Sequence, residues 1–385
     1  MWRHLASNAL TFLLVALFLA AGVVAWGSQQ YSAPGPLAQG ICLEVRPGSN
    51  MRRVSEDLVE QGAVSSGALF RMGADYSDKT RLLKAGSFLI EDGASMGEIV
   101  DAVTRGGANT CGTEIVYRVG VRNNSVQVRE LDPASGRYSE VAEFTPGEET
   151  APDEYRRVLE QDDTRLRLAV AEGVTSWQIA RALEAIDVLD GAIDATPAEG
   201  SLAPDSYEFA QGERRQALLA RMAAAQERIL AEAWEQRGPD APISTPEDAL
   251  ILASLIEKET GVAEERRQVA SVFANRLEDG MRLQTDPAVI YGVTNGEGIL
   301  GRGLRRSELD RPTPYNTYLI DGLPPTPIAN PGRASIEAAL NPAETDFLYF
   351  VADGTGGHAF ATNLADHNRN VAAWRAIEAE RASDG

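Results

Sequence analysis

The stretch that decides the fold of the carboxy-terminal half is Thr245–Gly261, TPEDALILASLIEKETG. Thr245 can cap the amino end of a helix, Pro246 suits the first helical turn, and Gly261 can end the helix. These signals predict a helix over residues 246–259. At about 100° per residue, one face of this helix carries the apolar side chains of Ala249, Leu252, Leu255 and Ile256.

The predicted helix also places a carboxyl group at the end of its apolar face. Glu259 shares that face with Ile256, whereas Glu257 points roughly 150° away. A carboxyl group in apolar surroundings has a raised pKa and stays protonated near neutral pH, as a general acid requires. The structural alternative is a carboxylate that reaches water or pairs with an arginine such as Arg266. Glu259 is therefore the candidate general acid, and Glu257 is the fallback.

The composition describes a folded protein that avoids nucleic acid. Of the 385 residues, 44% are apolar and 24% are charged, which is enough for a sizeable core. The chain has 36 Lys and Arg residues against 56 Asp and Glu residues, a formal charge of −20 at pH 7. Because this excess of acid repels phosphate backbones, we expect no general nucleic-acid binding.

An uncharged apolar run lies near the amino terminus. No charged residue occurs from Ala9 to Ala25, and this run is long enough for one membrane-spanning helix. Basic residues precede the run and few follow it closely, so the positive-inside rule predicts a cytoplasmic amino terminus and an exported remainder. A cleaved signal peptide is the alternative, but the run is longer than a usual signal core and no clear cleavage site follows it.

The two cysteines, Cys42 and Cys111, both lie on the predicted exported side. An oxidising compartment permits a disulfide between them, and two unrelated buried thiols are the alternative. The histidines His358 and His367 are not spaced from the cysteines as zinc ligands usually are. We therefore expect no metal and no cofactor.

A turn pattern recurs in the amino-terminal half. Gly48, Gly93 and Gly173 each precede two apolar residues by six and ten positions, with a Ser or Thr nearby that can cap a helix. A strand-like stretch comes just before each glycine. These strand-turn-helix units resemble LysM modules, small βααβ folds that hold cell-wall glycans. Ordinary α+β units without a ligand are the alternative.

Between the second and third of these units lies an acidic segment. Residues 129–163 contain eleven acidic and four basic residues, together with several Pro and Gly. Such a composition favours an exposed hairpin extension or a mobile insertion.

Short motifs follow one another in order through the carboxy-terminal half. They are Pro204–Tyr207, Glu257–Thr260, Glu265–Arg266, Val269–Phe273, Asn275–Leu277, Met281–Pro287, Ile290–Gly292, Pro314–Tyr318, Gly322–Pro325, Ile328–Gly332, Leu348–Ala352, Gly356–His358 and Asn363–Asn368. In this order they resemble the YceG/MltG-like endolytic murein transglycosylases. The resemblance spans about residues 202–367, and a weaker colinear match runs from Leu43 to Gly107.

This resemblance implies cleavage of the β-1,4 bond between N-acetylmuramic acid and N-acetylglucosamine in peptidoglycan. One glutamic acid protonates the glycosidic oxygen, and the 6-hydroxyl of the muramic acid attacks its own anomeric carbon, leaving a 1,6-anhydro end. An internal nucleophile makes a second carboxylate unnecessary. The catalytic glutamate of the family maps onto Glu259.

The resemblance further implies a single-pass protein of the inner membrane with its bulk in the periplasm. Its partners would be nascent peptidoglycan strands, whose elongation it would terminate, and a peptidoglycan synthase. The whole pattern predicts an α+β protein whose catalytic domain is mainly helical, lysozyme-like and rich in long loops. The predicted parts are a cytoplasmic tip (1–8), a transmembrane helix (9–26), a linker (27–40), a LysM-like subdomain (41–107), an acidic insertion or hairpin (108–163), a second LysM-like unit with its link (164–200) and the catalytic domain (201–385).

Polar residues in the motif loops are candidates for holding sugar. The candidate substrate-binding residues are Gln284, Thr285, Asp286, Tyr315, Asn316, Thr317, Tyr318, His358 and Asn363. Turn formation and loop packing are the structural alternatives for them. Glu257 and Asp286 are the candidate second carboxylates for a hydrolase, which is one alternative function. The other is a non-enzymatic peptidoglycan-binding membrane anchor.

Overall fold

The structure is a computed structural model that describes residues 2–105, 111–161, 164–239 and 241–383. Helices and strands are mixed along the chain, which confirms the predicted α+β class. The chain forms two compact units. The first unit comprises Met1–Ile115, Gln127–Phe144 and Ala151–Arg165, and the second comprises Val116–Val126, Thr145–Thr150 and Leu166–Gly385.

The first unit begins with a long helix and continues as a small α+β module. Its elements are α1 (Trp2–Ser32), β1 (Ile41–Val45), α2 (Met51–Glu60), α3 (Gly67–Tyr76), β2 (Gly86–Ile90) and α4 (Met96–Thr104), with a short 3-10 turn at Thr80–Leu82. Strands β1 and β2 pair antiparallel, with Leu43 opposite Phe88. Helices α2 and α4 are capped by Asn50 and Ser95, which follow the turn glycines that the sequence pattern singled out. The strand-helix-helix-strand order from β1 to β2 is followed by one further helix.

Helix α1 continues past the predicted end of the membrane span. Its apolar part, Thr11–Ser32, is long and apolar enough to cross a membrane, and its side chains are not buried in the protein. A linker was predicted over residues 27–40, but the first six residues of that range are helical. The reason is packing, because Tyr31 lies so close to Gly73 of α3 that a Cβ there would be 2.1 Å from the tyrosine ring. The beginning of the predicted linker is therefore held against the first unit.

A disulfide joins Cys42 of β1 to Cys111, with 5.6 Å between the Cα atoms. Cys111 is fully buried, and its backbone N–H donates to the carbonyl of Ser87 in β2 at 3.3 Å. The bond therefore ties the segment that follows the module to the small sheet.

The predicted acidic insertion (108–163) is folded where the structure describes it. It contains β3 (Thr113–Val119), β4 (Asn124–Asp132), β5 (Arg137–Phe144) and α5 (Asp153–Leu159), and β4 and β5 are neighbours in a sheet. Phe144 and Tyr155 pack edge to face at 5.1 Å, which holds α5 against the end of β5. Part of the predicted insertion (108–110 and 162–163) and the last two residues of the predicted LysM-like subdomain (106–107) lie outside the described residues.

The second unit opens with another strand-turn-helix element. Strand β6 (Arg165–Val170) is followed by α6 (Ser176–Ala185), and β7 (Ser206–Phe209) pairs antiparallel with β6. Thr175 and Gln178 form a capping box at the start of α6. The carbonyl of Val119 at the end of β3 accepts from Ala171 at 2.9 Å, so β6 lies between β3 and β7.

The rest of the second unit is mainly helical. It comprises α7 (Arg215–Glu235), α8 (Pro246–Glu259), α9 (Arg266–Glu278), α10 (Asp286–Thr294), α11 (Arg306–Leu309), α12 (Arg333–Leu340), β8 (Tyr349–Ala352), β9 (His358–Ala361) and α13 (Leu364–Ser383), with a 3-10 turn at Ala263–Glu265. Helix α8 has the bounds that the sequence predicted, and the Thr245 hydroxyl caps it by accepting from Asp248 at 3.1 Å.

Helix α8 is central because apolar side chains surround most of it. Leu252, Leu255 and Ile256 are fully buried together with Phe273 of α9 and Ile336 of α12. This core holds the carboxyl end of α8 in a fixed position, and the candidate site is built there.

Candidate active site

Glu259 is the last residue of α8, and its partly exposed side chain lines a cleft of ≈ 530 Å³. Burial raises the pKa of its carboxyl group, and the negative charge of Asp286 raises it further. The nearby Thr285 hydroxyl lowers this pKa, as do the electrostatic effects of His358 and Arg276. The desolvation effect is the largest of these, so the group holds its proton to a higher pH than an ordinary glutamic acid.

The cleft is lined from six parts of the second unit. These are the end of α8, α9, the segment that enters α10, the turn after α11 that carries Tyr318, the β8–β9 hairpin and α13. The lining residues are Glu259, Arg276, Leu283, Gln284, Asp286, Tyr318, Tyr349, Phe350, Val351, Ala352, His358, Leu364, His367 and Val371. Aromatic, cationic and carboxyl groups therefore meet in one depression.

The loop before α10 is pinned from behind by Thr317. Its hydroxyl accepts from the Thr285 N–H at 2.9 Å and donates to the Thr285 carbonyl at 3.1 Å. The Thr317 carbonyl accepts from the Gln284 N–H at 3.1 Å. Gln284 itself adopts a left-handed backbone conformation with φ of 50°, which few residues other than glycine adopt. Because Thr317 is fully buried, it positions Gln284 and Asp286 without reaching the cleft.

Asn316 organises the adjacent turn in the same way. Its side-chain amide donates to the carbonyls of Leu309 and Arg311 at 2.9 and 2.8 Å, and its side-chain oxygen accepts from the Tyr318 N–H at 3.1 Å. The turn presents Tyr318 to the cleft, where its hydroxyl donates to Asp286 Oδ1 at 2.7 Å. Burial raises the pKa of Tyr318, so this hydroxyl stays a hydrogen-bond donor.

His358 at the start of β9 is oriented by Glu265. Its Nδ1 lies 2.8 Å from Glu265 Oε2, and its backbone N–H donates to Oε1 at 3.0 Å. An ionised carboxylate only accepts hydrogen bonds, so Nδ1 carries the proton of this pair and Nε2 remains for the cleft. Gly357 permits the contact, since a Cβ there would lie 2.4 Å from Glu265 Oε1.

Arg276 of α9 forms part of the cleft wall. Its Nε and Nη1 donate to the carbonyls of Leu348 and Leu283, both at 2.7 Å, and its guanidinium lies 5.3 Å from the ring centre of Tyr349. Tyr349 in turn stacks on His367 at 5.1 Å. Burial lowers the pKa of Arg276, and Arg276 contributes to a lowered pKa of His367 after desolvation. The wall thus combines a cation with two stacked rings.

Comparison with known proteins identifies the family of this chain. A model of the YceG-like family matches residues 135–373, which is more than half of the chain. The chain belongs to the YceG-like family.

Relatives of this YceG-like chain carry informative names. A Streptococcus pneumoniae protein named endolytic murein transglycosylase is 28% identical over 381 residues, which cover 96% of this chain and 65% of that protein. A Bacillus subtilis protein of the same name is 38% identical over 174 residues, which cover 45% of this chain and 47% of that protein. This chain therefore spans less than two thirds of the length of either relative.

A solved structure is also similar. The yceG-like protein lmo1499 from Listeria monocytogenes is 26% identical, with a TM-score of 0.46, and the match covers 86% of this chain and 99% of that one.

Four of the predicted substrate-binding residues line the cleft of this YceG-like chain, and they are Gln284, Asp286, Tyr318 and His358. Thr285 is buried beside Glu259, and Asn316 and Thr317 are buried behind the loops. Tyr315 packs on Tyr291 at 4.9 Å and shares a hydrogen bond of 2.8 Å with Thr326, away from the cleft lining. Asn363 caps α13 by accepting from the Asp366 N–H at 3.0 Å. Thr285, Tyr315, Asn316, Thr317 and Asn363 therefore pack or cap the loops in this structure and do not line the cleft.

The fallback residue Glu257 also lies outside the cleft lining. Its Oε2 accepts from the Gly332 N–H at 3.0 Å and from the Ser335 hydroxyl at 2.7 Å, at the amino end of α12. A carboxylate there satisfies free N–H groups and complements the helix dipole. Glu257 therefore stabilises the amino end of α12. Its position two residues before Glu259 did not predict this role, because Gly332 and Ser335 are distant in sequence.

The structure adds residues to the cleft that the sequence did not predict as substrate-binding. Arg276, Tyr349, Phe350 and His367 line the cleft, and Glu265 orients His358 from outside the lining. The aromatic run at Tyr349–Phe350 was the available signal. Among the described residues, no group of three or more His, Cys, Asp or Glu side chains could hold a metal ion.

Proposed function

We propose that this chain is an endolytic murein transglycosylase in which Glu259 is the general acid. The observation that carries the proposal is a carboxyl group of raised pKa, fixed at the end of a buried helix and open to a cleft of ≈ 530 Å³. The names of the pneumococcal and Bacillus relatives support the same activity.

The proposed reaction needs one proton donor and no external nucleophile. Glu259 gives its proton to the oxygen that joins N-acetylmuramic acid to N-acetylglucosamine, and the bond from the anomeric carbon to that oxygen breaks. The 6-hydroxyl of the same muramic acid bonds to the anomeric carbon and releases its proton to the Glu259 carboxylate. The products are a 1,6-anhydro end and a free 4-hydroxyl, and the acid is regenerated.

The other cleft groups have roles that follow from their chemistry. Tyr349 and Phe350 offer ring faces against which sugar rings can pack, and Gln284 offers an amide for hydroxyl or N-acetyl groups. Asp286 and Tyr318, joined at 2.7 Å, form a polar pair that faces the same space. The negative charge of Asp286 would also favour positive charge developing at the anomeric carbon.

The decisive experiment is product analysis with Glu259→Gln. Glutamine keeps the size of the side chain but cannot donate a proton as an acid, so we expect the yield of 1,6-anhydro ends from purified sacculi to fall by about 10²–10⁴-fold. Glu247→Gln is the matched control, since it makes the same change at the exposed amino end of α8. Anhydro products formed at the normal rate by Glu259→Gln would refute the proposal.

A two-carboxylate hydrolase is the second candidate, because Asp286 lines the same cleft as Glu259. Hydrolysis adds water and leaves a reducing end that is one water, about 18 Da, heavier than an anhydro end. Mass spectrometry of the wild-type products separates the two reactions. We expect anhydro ends, and a preponderance of reducing ends that disappears in Asp286→Asn would establish the hydrolase instead.

We further propose that α1 anchors the protein in the inner membrane, with the amino terminus in the cytoplasm and the chain from β1 onward in the periplasm. The length and composition of Thr11–Ser32 support an anchor, and the Cys42–Cys111 disulfide suits an oxidising compartment. From there the enzyme would cut strands as a synthase extends them and so end their growth. Protease added to spheroplasts should digest the folded part, and protection of that part would contradict the orientation.

Residues 41–107 are proposed to hold glycan as a LysM-like module, which the strand-helix-helix-strand order from β1 to β2 supports. Residues 164–200 would then be a second LysM-like unit with its link, and residues 201–385 the lysozyme-like catalytic domain. If the protein were only a peptidoglycan-binding anchor, pull-down on sacculi would succeed without any product and would be indifferent to Glu259→Gln.

A further inference from the structure

A second cleft in the second unit, of ≈ 470 Å³, is not used by the proposed reaction. Residues that are adjacent in sequence line this cleft and the active-site cleft. Lys258 lines the second cleft and Glu259 lines the first, although they are consecutive residues of α8. Similarly, Asp286 at the start of α10 lines the first cleft, and its neighbour Pro287 lines the second.

The second cleft contains two cations without an ion-pair partner. Lys258 is partly buried, and its Nζ donates to the carbonyl of Gly173 at 3.1 Å. Arg122 is exposed at the rim. Among the described residues, no carboxylate oxygen lies within 4.0 Å of the side-chain nitrogens of either residue. Arg302 in the same cleft differs, because Glu308 holds it through two hydrogen bonds of 2.6 and 2.9 Å.

The two carboxylates that act electrostatically on Lys258 are those of Glu257 and Glu199, and both accept hydrogen bonds from other groups. Glu257 accepts from Gly332 and Ser335, as described above. Glu199 accepts from the Ser176 N–H at 2.8 Å and from the Tyr291 hydroxyl at 3.2 Å. Burial raises the pKa of Glu199 and lowers that of Lys258. The ammonium group of Lys258 is therefore desolvated without direct neutralisation, a costly arrangement that an anionic ligand would relieve.

The remaining wall of the second cleft is apolar. Ile290 and Ile328 contribute to it, and Ile299 is 58% exposed there. A site that combines unpaired cations with aliphatic surface suits a ligand that carries carboxylates on a partly apolar backbone. A neutral sugar offers no carboxylate to such a site, but a peptide does.

We propose that the second cleft binds the peptide stem carried by the muramic acid residues of the glycan strand, with a stem carboxylate held by Lys258 and Arg122. This proposal rests on the proposed function, since it requires a murein strand in the neighbouring cleft. Because consecutive residues line the two clefts at two places, Lys258 and Glu259 in α8 and Asp286 and Pro287 in α10, a strand in the first cleft and its stem in the second would contact adjoining parts of the same two helices. A chain of net charge −20 would thereby hold an acidic polymer through a local pair of cations.

The first test measures binding of a free stem peptide, L-alanyl-D-glutamyl-diaminopimelyl-D-alanine, to the full chain in detergent by calorimetry. We expect the peptide with amidated carboxylates to bind about tenfold more weakly, as the loss of a charged hydrogen bond predicts. Lys258→Met and Arg122→Gln should each weaken binding of the free peptide by a similar factor. Arg228→Gln is the control, because this exposed arginine of α7 lines neither cleft.

Equal binding of the amidated peptide, unchanged binding by both variants, or no binding at millimolar peptide would each overturn the proposal. If Lys258→Met fails to fold because the contact with Gly173 is lost, Arg122→Gln decides, since Arg122 is exposed and needs no repacking.

The second test uses the reaction and separates the two proposals. Glycan strands with stems are compared as substrates with strands whose stems were removed by an amidase and whose exposed lactyl carboxyl groups were then capped as amides. We expect the ratio of kcat/KM for stem-bearing over stem-free strands to fall roughly tenfold in Arg122→Gln, and an unchanged ratio would contradict the stem site. Peptide binding without any anhydro product would instead refute the transglycosylase while leaving the cleft as a peptide site.

Discussion

Two consecutive residues at the end of α8, the basic Lys258 and the acidic Glu259, line two different clefts. Burial acts on both in the same sense, because it favours the neutral form, and it raises the pKa of Glu259 while it lowers that of Lys258. The neighbours then act differently. Asp286 raises the pKa of Glu259 further and so favours its protonated form, whereas Glu257 and Glu199 raise the pKa of Lys258 and so favour its charged form.

This difference shows how one helix end supplies two chemistries. A glutamic acid that keeps its proton suits bond cleavage, and a lysine that keeps its charge suits binding of an anion. Both depend on the same buried helix, whose core residues include Leu255 and Ile256. Substitutions that change one cleft at a time test whether the two clefts have these separate roles.

The largest effect is expected from Glu259→Gln, which removes the proposed general acid of the active-site cleft. Loss of the general acid should reduce cleavage of stem-bearing and stem-free strands alike, by about 10²–10⁴-fold. Rates are measured by chromatography of the anhydro products. A loss confined to stem-bearing strands would show that Glu259 acts in binding and not in proton transfer.

A smaller effect is expected from Glu265→Gln, which loosens the active-site cleft without touching α8. Glu265 holds both the ring and the backbone of His358, which lines the cleft, and loss of a hydrogen bond to a charged group costs about 1.5–3 kcal/mol, or roughly 10–100-fold. We expect kcat/KM for strands to fall within that range while the thermal midpoint stays close to wild type. Recovery of activity in Glu265→Asp would support a positioning role, and unchanged kinetics in Glu265→Gln would exclude one.

Glu257→Ala separates the two glutamates of the EKET motif. The variant leaves the Gly332 N–H and the Ser335 hydroxyl without their partner, so we expect the free energy of unfolding to drop by about 1–3 kcal/mol. Denaturant unfolding measures this loss. Cleavage per folded molecule should persist, and a Glu257→Ala protein that is fully stable but inactive would make Glu257 the better candidate for the acid.

The smallest effect is a pH dependence of stability that belongs to Glu259. Its folded pKa is raised, so the folded state binds more protons than the unfolded state between the two pKa values, and stability falls as pH rises through that window. Glu259→Gln cannot titrate. We therefore expect the variant to gain stability relative to wild type as pH rises above the ordinary glutamate range. Parallel unfolding curves at acidic and neutral pH test this, and a constant difference would mean an unshifted pKa.

Local rules predicted much of the framework of this protein. The cap at Thr245, the apolar spacing along α8 and the turn at Gly173 all lie within a few residues of the structures they specify, so a linear pattern suffices for them. The same rules placed Glu259 at the end of an apolar face. They failed at the linker, because the packing of Tyr31 on Gly73 joins positions far apart in the chain.

Sequence alone could not sort the polar residues of the motif loops. Tyr318 reaches the cleft, whereas Asn316 and Thr317 beside it are buried and bond to backbone groups. A residue type with donors and acceptors suits either role, and only the partners decide which one it takes.

By itself, then, the sequence determined α8 and its cap, the turns that precede α2, α4 and α6, the apolar span and the candidate acid, since each depends on spacing within a single element. Tertiary structure alone decided that Glu265 holds His358, that Glu257 caps α12 and that Lys258 and Glu259 enter separate clefts. The physical reason is that desolvation and hydrogen bonding depend on what surrounds a side chain, and those surroundings come from segments that are distant in sequence.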